Sequence, residues 1–101
     1  MLVGREERVK ASLSAAAGPP YALAVLMGEV ADLGCEVVFG GRRSVRGDAT
    51  AAVLLAESAC AGAGKLVSLN LERIDNDERL EQSRQLARAT REARELVLAR
   101  H

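Results

Sequence analysis

The chain is poor in aromatic side chains and contains no tryptophan. Tyr21 and Phe39 are its only aromatic residues, although 49% of its 101 residues are apolar. This apolar share argues against disorder, and a chain of this length is expected to fold as one domain around a modest core. Because alanine supplies much of the apolar content, we expect that core to be thin, aliphatic and lined by alanine.

Histidine and cysteine are also scarce. The single histidine, His101, is the last residue and is expected to be solvated, and no serine–histidine–aspartate or cysteine–histidine arrangement can be assembled without it. Cys35 and Cys60 form no CxxC pair and have no histidine cluster nearby, so we expect two buried, reduced thiols. These shortages predict no catalytic residue, no metal site and no cofactor.

An excess of charge and a long apolar run are likewise missing. Fourteen basic residues balance 14 acidic ones, which argues against a dedicated nucleic-acid-binding protein. No apolar run approaches the length that spans a bilayer, and residues 1–10 carry charge where a signal peptide needs its apolar core. We expect a cytoplasmic protein with neither a nucleic-acid nor a membrane partner.

Alternation of polar and apolar residues predicts strands. Residues 8–14 and 65–72 alternate, as expected for half-buried strands, and residues 35–39 form a short apolar run. Gly40-Gly41 is a hairpin signal that would return the chain as a basic edge strand over residues 42–46.

Three helices are expected between and after these strands. The first runs over residues 20–33, with Gly34 as its stop, and the second begins near Asp48 or Thr50 and continues to Cys60. A glycine-rich turn over residues 61–64 follows. Residues 75–77 form a turn that caps a last helix over residues 77–100.

The element order is therefore βαββαβα, which predicts the α+β class. We expect a single domain over residues 1–101, an open-faced sandwich whose four-stranded, mainly antiparallel sheet carries three helices on one face. The last helix, about 36 Å long, would extend beyond strands of about 17–20 Å. Leu96, Val97 and Leu98 lie on that extension, where either self-association or a frayed tail folded back on the domain would cover them.

Three motifs suggest ligands. The AGAGK motif at 61–65 fails as a phosphate loop, because Ala59 stands where the first glycine is required and Leu66 where serine or threonine is required. Residues 75–77 lack the glycine and the later glutamate of a calcium loop. Arg42, Arg43 and Arg46 would either bind an acidic partner or a phosphate, or line a solvated edge strand.

The predicted order and the sequence over about residues 7–89, above all residues 37–71, resemble the HPr phosphocarrier family of the bacterial sugar phosphotransferase system. In that family a histidine just before the proline of the first helix accepts a phosphoryl group. Here Ala16 or Ala17 stands in its place, and alanine has no nucleophilic nitrogen. The resemblance implies an HPr-like protein that has lost its phosphoryl acceptor.

The resemblance implies that such a protein still has the family's surface for binding protein partners. In the family, partners dock on the first two helices and on the turn before the first, which implies a binding surface formed by Pro19, Pro20, Tyr21, Asp48, Thr50 and Leu54. Tyr21 could instead pack at the sheet edge. The expected function is a non-enzymatic regulatory module that binds phosphotransferase proteins or a regulated enzyme.

Two alternatives stay open at this stage. One is a working phosphocarrier with an unconventional acceptor among Ser12, Ser14 and Thr50. The other is a small structural subunit that assembles as a homo-oligomer through its C-terminal helix.

Overall fold

The protein is all-α over the residues that the computed structural model describes, which are 2–100, with side chains from residue 4 onward. The helices are α1 (Leu2–Ala16), α2 (Gly18–Gly40), α3 (Arg46–Leu71) and α4 (Glu78–Ala99), and a 3-10 turn (Arg43–Val45) connects α2 to α3. Helices α2, α3 and α4 pack as a bundle in which neighbours along the chain are antiparallel. Helix α1 extends beyond the bundle, and the whole forms a rod of 63 × 16 × 15 Å.

The predicted α+β sandwich is therefore wrong, since no strand occurs within residues 2–100. Residues 65–72 show why the alternation misled. Val67 and Leu71 are fully buried, whereas Leu69, between them, is 51% exposed. Residues four apart share a face of a helix and residues two apart do not, so this segment is the end of α3 rather than a strand.

The predicted hairpin is also wrong. Residues 35–39 continue α2 to Gly40, past the expected stop at Gly34. Gly41 has an extended backbone, and its N–H donates to the Val37 carbonyl, so it closes the helix instead of turning a hairpin. Residues 42–45 form the short connection to α3, Arg46 is the first residue of α3, and residues 8–14 lie inside α1. The glycine-rich segment 61–64 is the middle of α3.

Small residues at seven-residue spacing account for the bundle. One buried line along α2 contains Ala24, Ala31 and Val38, and Ala17, the residue just before the helix, continues it. Helix α3 contributes two such lines. One consists of Ala49, Ala56 and Ala63, and the other consists of Val53, Cys60 and Val67. Such side chains let helix axes approach closely, and a heptad spacing keeps the contact in register. The prediction of a thin, alanine-lined core is confirmed.

Two glycines of α2 lie at close contacts with neighbouring helices, and at Gly34 the contact includes backbone. A Cβ atom at Gly34 would lie 2.5 Å from Cγ2 of Val53 and 3.3 Å from the Ala49 carbonyl oxygen. A Cβ atom at Gly28 would lie 2.9 Å from Cδ2 of Leu86 on α4. Gly34 is thus a packing residue in the interior of α2.

A polar cluster at the start of α4 also binds the end of α1. The Asp77 carboxylate accepts a hydrogen bond from the Arg79 backbone N–H at 3.0 Å, which confirms the predicted cap in the 75–77 turn. The Arg79 guanidinium donates to Oδ2 of Asp77 at 2.8 Å and to the carbonyl oxygen and hydroxyl of Ser14, each at 3.1 Å. One arginine therefore connects the start of α4 to the end of α1.

Protonation of Asp77 is expected to destabilise the fold. The hydrogen-bonded Arg79 side chain holds the pKa of the Asp77 carboxyl below its ordinary value. A carboxyl with a lowered native pKa stabilises the fold above its unfolded pKa, and this stabilisation is lost as the pH falls through the native pKa. Between about pH 5 and pH 2, the free energy of unfolding should fall more steeply for the wild type than for Asp77→Asn, which keeps a capping oxygen without the charge. Urea unfolding across this range measures both, and parallel pH profiles would contradict the prediction.

One helical stretch, Arg43–Leu71, is long and apolar enough to cross a membrane, with a window of mean hydropathy 1.4. Core helices of soluble proteins meet the same criterion, and here 28% of that window is buried in the bundle. The absence of a membrane partner therefore stays a prediction.

Candidate functional site

An open groove lies between α2 and α3, at the end of the bundle where the chain passes from one helix to the other. Its volume is about 380 Å³. The residues that line it are Val30, Leu33, Gly34, Val37, Val45, Asp48, Ala49 and Ala52. Its walls are almost wholly apolar because both helices present small or aliphatic side chains to it.

Asp48 is the one charged residue among those that line the groove. It lies in the first turn of α3, where unpaired backbone N–H groups and the helix dipole favour a negative charge. A carboxylate beside apolar walls can pair with a cationic group of a ligand and can exchange a proton with it. Asp48 is thus the residue of this groove that can bind a cationic group and transfer a proton.

The other two residues predicted on the second helix, Thr50 and Leu54, do not line the groove. The Thr50 hydroxyl donates to the Arg46 carbonyl oxygen at 2.9 Å, one turn earlier in α3. Leu54 is partly buried on the same helix. Nε of Arg46 is buried without a hydrogen-bond partner. Of the residues predicted in this region, only Asp48 lines the groove.

The remaining predicted binding residues lie at the opposite end of α2. Tyr21 precedes Val37 by 16 helical residues, about 24 Å along the axis. Its hydroxyl donates to the side-chain oxygen of Gln82 on α4, and Pro19 and Pro20 form the first turn of α2. Ala17, one of the two residues in place of the expected histidine, is fully buried, and Ala16 is exposed at the end of α1. The structure therefore separates the predicted binding surface into two distant parts.

The three residues predicted for self-association do not share an environment. Val97 is buried in the core, Leu98 is partly buried and Leu96 is 57% exposed. The described residues form no sheet, so the predicted extension of the last helix beyond a sheet is wrong. Within this segment only Leu96 is available to a partner.

The two thiols are poorly suited to act as nucleophiles. Cys60 is buried and Cys35 partly buried, and both are free. Burial raises the pKa of each thiol, which keeps it protonated near neutral pH. His101 lies outside the described residues. Among the residues searched, no cluster of histidine, cysteine, aspartate and glutamate suits a metal ion.

Sequence reasoning missed the α2 wall of the groove. Gly34 was expected to end the first helix, and Val37 was assigned to a strand. The signal that could have found the wall is the spacing of Leu26, Val30, Leu33 and Val37, which continues past Gly34 at alternating steps of four and three residues.

A cationic groove between α3 and α4 was also missed. It is lined by Lys65, Arg84 and Arg91 together with small residues and Ser83. Arg84 and Arg91 lie two turns apart on α4, and the packing of α3 against α4 brings Lys65 to them.

Comparison with known proteins identifies a family. A family model described as formiminotransferase-cyclodeaminase matches residues 3–89, which cover α1, α2, α3 and the first half of α4. No curated protein and no solved structure matches the chain. The matched region includes the groove and Asp48.

This match overturns the resemblance to the HPr family. The segment 37–71, which carried the resemblance, forms the end of α2, the connection that follows it and all of α3. The expected non-enzymatic phosphotransferase-type regulator is wrong, as are its phosphocarrier and structural-subunit alternatives. The matching domain is helical and belongs to enzymes, and it is associated with formiminotransferase-cyclodeaminase activity in histidine degradation. The chain belongs to the family of the C-terminal domain of formiminotransferase-cyclodeaminase.

Proposed function

We propose that the chain takes part in the cyclising deamination of a formimino compound, with the groove between α2 and α3 as the substrate site. The observation that carries the proposal is Asp48, the single charged side chain on the wall of an apolar groove inside the matched region. No other lining residue of this groove can pair with a charged substrate group.

The family's name indicates the reaction, which is the cyclising deamination of a formimino compound. In a cyclising deamination, a nitrogen near the formimino group attacks the formimino carbon, and a ring closes. The bond from that carbon to the terminal nitrogen then breaks, and ammonia leaves with the bonding electrons. The attacking nitrogen must lose a proton and the departing nitrogen must gain one, which calls for a positioned proton carrier.

Asp48 suits both requirements of this reaction. A formimino group attached to nitrogen is an amidine, which is cationic when protonated, and a carboxylate binds it through charge-assisted hydrogen bonds. The same carboxylate can accept the proton of the attacking nitrogen and return it to the departing one. The apolar walls formed by Val30, Leu33 and Val37 offer a surface for the uncharged part of such a substrate beside this carboxylate.

Ammonia release tests the proposal directly. The purified chain is incubated with a compound that carries a formimino group beside a secondary amine, and ammonia is measured with a coupled dehydrogenase assay. A matched compound whose neighbouring nitrogen is acylated cannot close the ring and serves as the control. Release above the uncatalysed rate from the first compound alone supports the proposal. A chain that keeps its helical circular dichroism and leaves both compounds unchanged contradicts it.

A further inference from the structure

The cationic groove between α3 and α4 is a further concave site, separate from the groove that contains Asp48. Its volume is about 210 Å³, and it is lined by Ala61, Gly64, Lys65, Ser83, Arg84, Ala87 and Arg91. Lys65 follows Asp48 by 17 residues of the same helix, which is about 25 Å along the axis. One small ligand therefore cannot occupy both grooves.

The three cations of this groove are not neutralised by its lining. The residues that line it include no aspartate and no glutamate. Within the described part of the chain, the salt bridges are Asp77–Arg79 and Glu81–Arg88, and neither involves a cation of this groove. The groove therefore presents three positive charges to a ligand that enters it.

Carboxylates that could pair with these arginines are present on the same helix but are not used. Glu81 precedes Arg84 by three residues, a spacing that allows an ion pair on a helix. Glu95 likewise follows Arg91 by four residues. In the structure Glu81 accepts a hydrogen bond from Arg88 at 3.2 Å instead, and Glu95 forms no salt bridge with a described residue. Arg84 and Arg91 thus remain available to a ligand.

The close packing of α3 against α4 brings the cations to one opening. A Cβ atom at Gly64 would lie 3.8 Å from the Ser83 carbonyl oxygen, which places the two helices in contact at this level. Lys65 and Arg84 are the next residues along the two helices. Arg91 lies seven residues further along α4, about 10 Å along the axis. The small residues of the lining leave room for a ligand between these side chains.

Three converging cations suit a phosphoryl group better than a carboxylate. A carboxylate is planar, and a single arginine matches it through two parallel hydrogen bonds. A phosphoryl group carries close to two negative charges and has three strong acceptor oxygens. Those oxygens can accept hydrogen bonds from two guanidinium groups and an ammonium group at once. The groove is also smaller than the roughly 300–1,000 Å³ of pockets for drug-sized ligands, as expected for a small anion.

We propose that the groove between α3 and α4 binds a small phosphate-type anion through Lys65, Arg84 and Arg91. Two sources share this chemistry, namely the free inorganic anion and the phosphate ester of a small molecule. Because Arg91 lies about 10 Å beyond Arg84, a diphosphate should contact the whole set better than a single phosphate. The inference is independent of the proposed function, since binding can be measured without a formimino compound.

Isothermal titration calorimetry of the full chain with pyrophosphate, at fixed pH and ionic strength, tests this site. The wild type is expected to bind pyrophosphate at least about tenfold more tightly than succinate, a small dicarboxylate. Arg84→Gln and Arg91→Gln should each raise the dissociation constant for pyrophosphate about tenfold, because each removes charge-assisted hydrogen bonds. Both arginines are exposed, so neither variant should unfold the chain.

Two further variants separate a site from a diffuse positive field. Arg88→Gln is the matched control for charge, since Arg88 lies between the two arginines on α4 but pairs with Glu81 and does not line the groove. It should change the dissociation constant by less than about threefold. Ala61→Leu fills the groove at an exposed position without changing the charge. It should weaken pyrophosphate binding more than Arg88→Gln does.

Titration with inorganic phosphate and with glycerol phosphate identifies the source of the anion. Tighter binding of the inorganic ion supports a site for the free anion, and tighter binding of the ester supports a site for a phosphorylated small molecule. The proposal is overturned if the wild type, folded by circular dichroism, binds none of the phosphate probes at millimolar concentration. It is also overturned if succinate binds as tightly as pyrophosphate, or if Arg88→Gln weakens binding as much as Arg84→Gln.

Discussion

Asp48→Asn is expected to reduce ammonia release by about 100- to 10,000-fold, the range by which a positioned acid or base accelerates proton transfer. Asparagine has nearly the same shape as aspartate, so the groove between α2 and α3 keeps its form. Its amide cannot take a proton from the attacking nitrogen and carries no charge to hold a cationic formimino group. The loss should therefore appear both in kcat and in substrate affinity.

The fold should survive this substitution. Asp48 lies in the first turn of α3, where its charge contributes about 0.3–1 kcal/mol through the helix dipole. Urea unfolding should show a change no larger than this. If the variant lost much more stability than this, its lower activity would reflect unfolding and not the missing carboxylate. Urea unfolding therefore separates an effect on stability from an effect on catalysis.

Asp32→Asn provides the matched control. Asp32 is an exposed acid on α2 that does not line the groove. The same isosteric change there should leave ammonia release within about twofold of the wild type, as expected for a surface substitution. If both variants retain full activity, Asp48 is not the proton carrier and the groove is not the substrate site.

Gly34→Ala is expected to lower the free energy of unfolding by about 2–3 kcal/mol, although alanine is the better helix former. The added Cβ atom would lie 2.5 Å from Cγ2 of Val53 and 3.3 Å from the Ala49 carbonyl oxygen. Val53 is fully buried and cannot move aside, and the carbonyl belongs to the α3 backbone. The strain must therefore separate α2 from α3.

Gly40→Ala tests whether the loss at Gly34 arises from this contact. Gly40 ends the same helix, has no positive backbone angle, and a Cβ atom there would meet nothing within 4 Å. Its replacement should leave stability unchanged or raise it by up to about 1 kcal/mol. Thermal and urea unfolding measure both variants. Equal stability of the two would show that α2 and α3 do not approach as closely as the structure has them.

The turn before the last helix illustrates what local sequence could predict. The cap at Asp77 depends on neighbouring residues alone, because its carboxylate bonds to the backbone of Arg79 two residues later. The cap predicted at Asp48 or Thr50 is wrong, because α3 begins at Arg46 without a side-chain cap and Asp48 lies inside its first turn. Chemistry that is confined to a few consecutive residues can be inferred without knowing what packs around them.

Residues 65–72 show where local pattern is insufficient. Over so short a stretch, alternation is compatible with a strand and with the end of a helix. The structure distinguishes them because α2 covers Val67 and Leu71 and leaves Leu69 exposed. Gly34 is a similar case, since a glycine is equally typical of a helix end and of a close helix contact.

The sequence by itself determined the small, alanine-lined core, the capped turn at 75–77 and the acidic residue at the start of α3. Only the tertiary structure decided that the chain is a helical bundle, that Gly34 lies within α2, and that Asp48 faces an apolar groove. Capping depends on hydrogen bonds between near neighbours in the chain. The choice of helix over strand was made by the close contact of α2 with α3, whose buried alanines and glycines are distant in sequence.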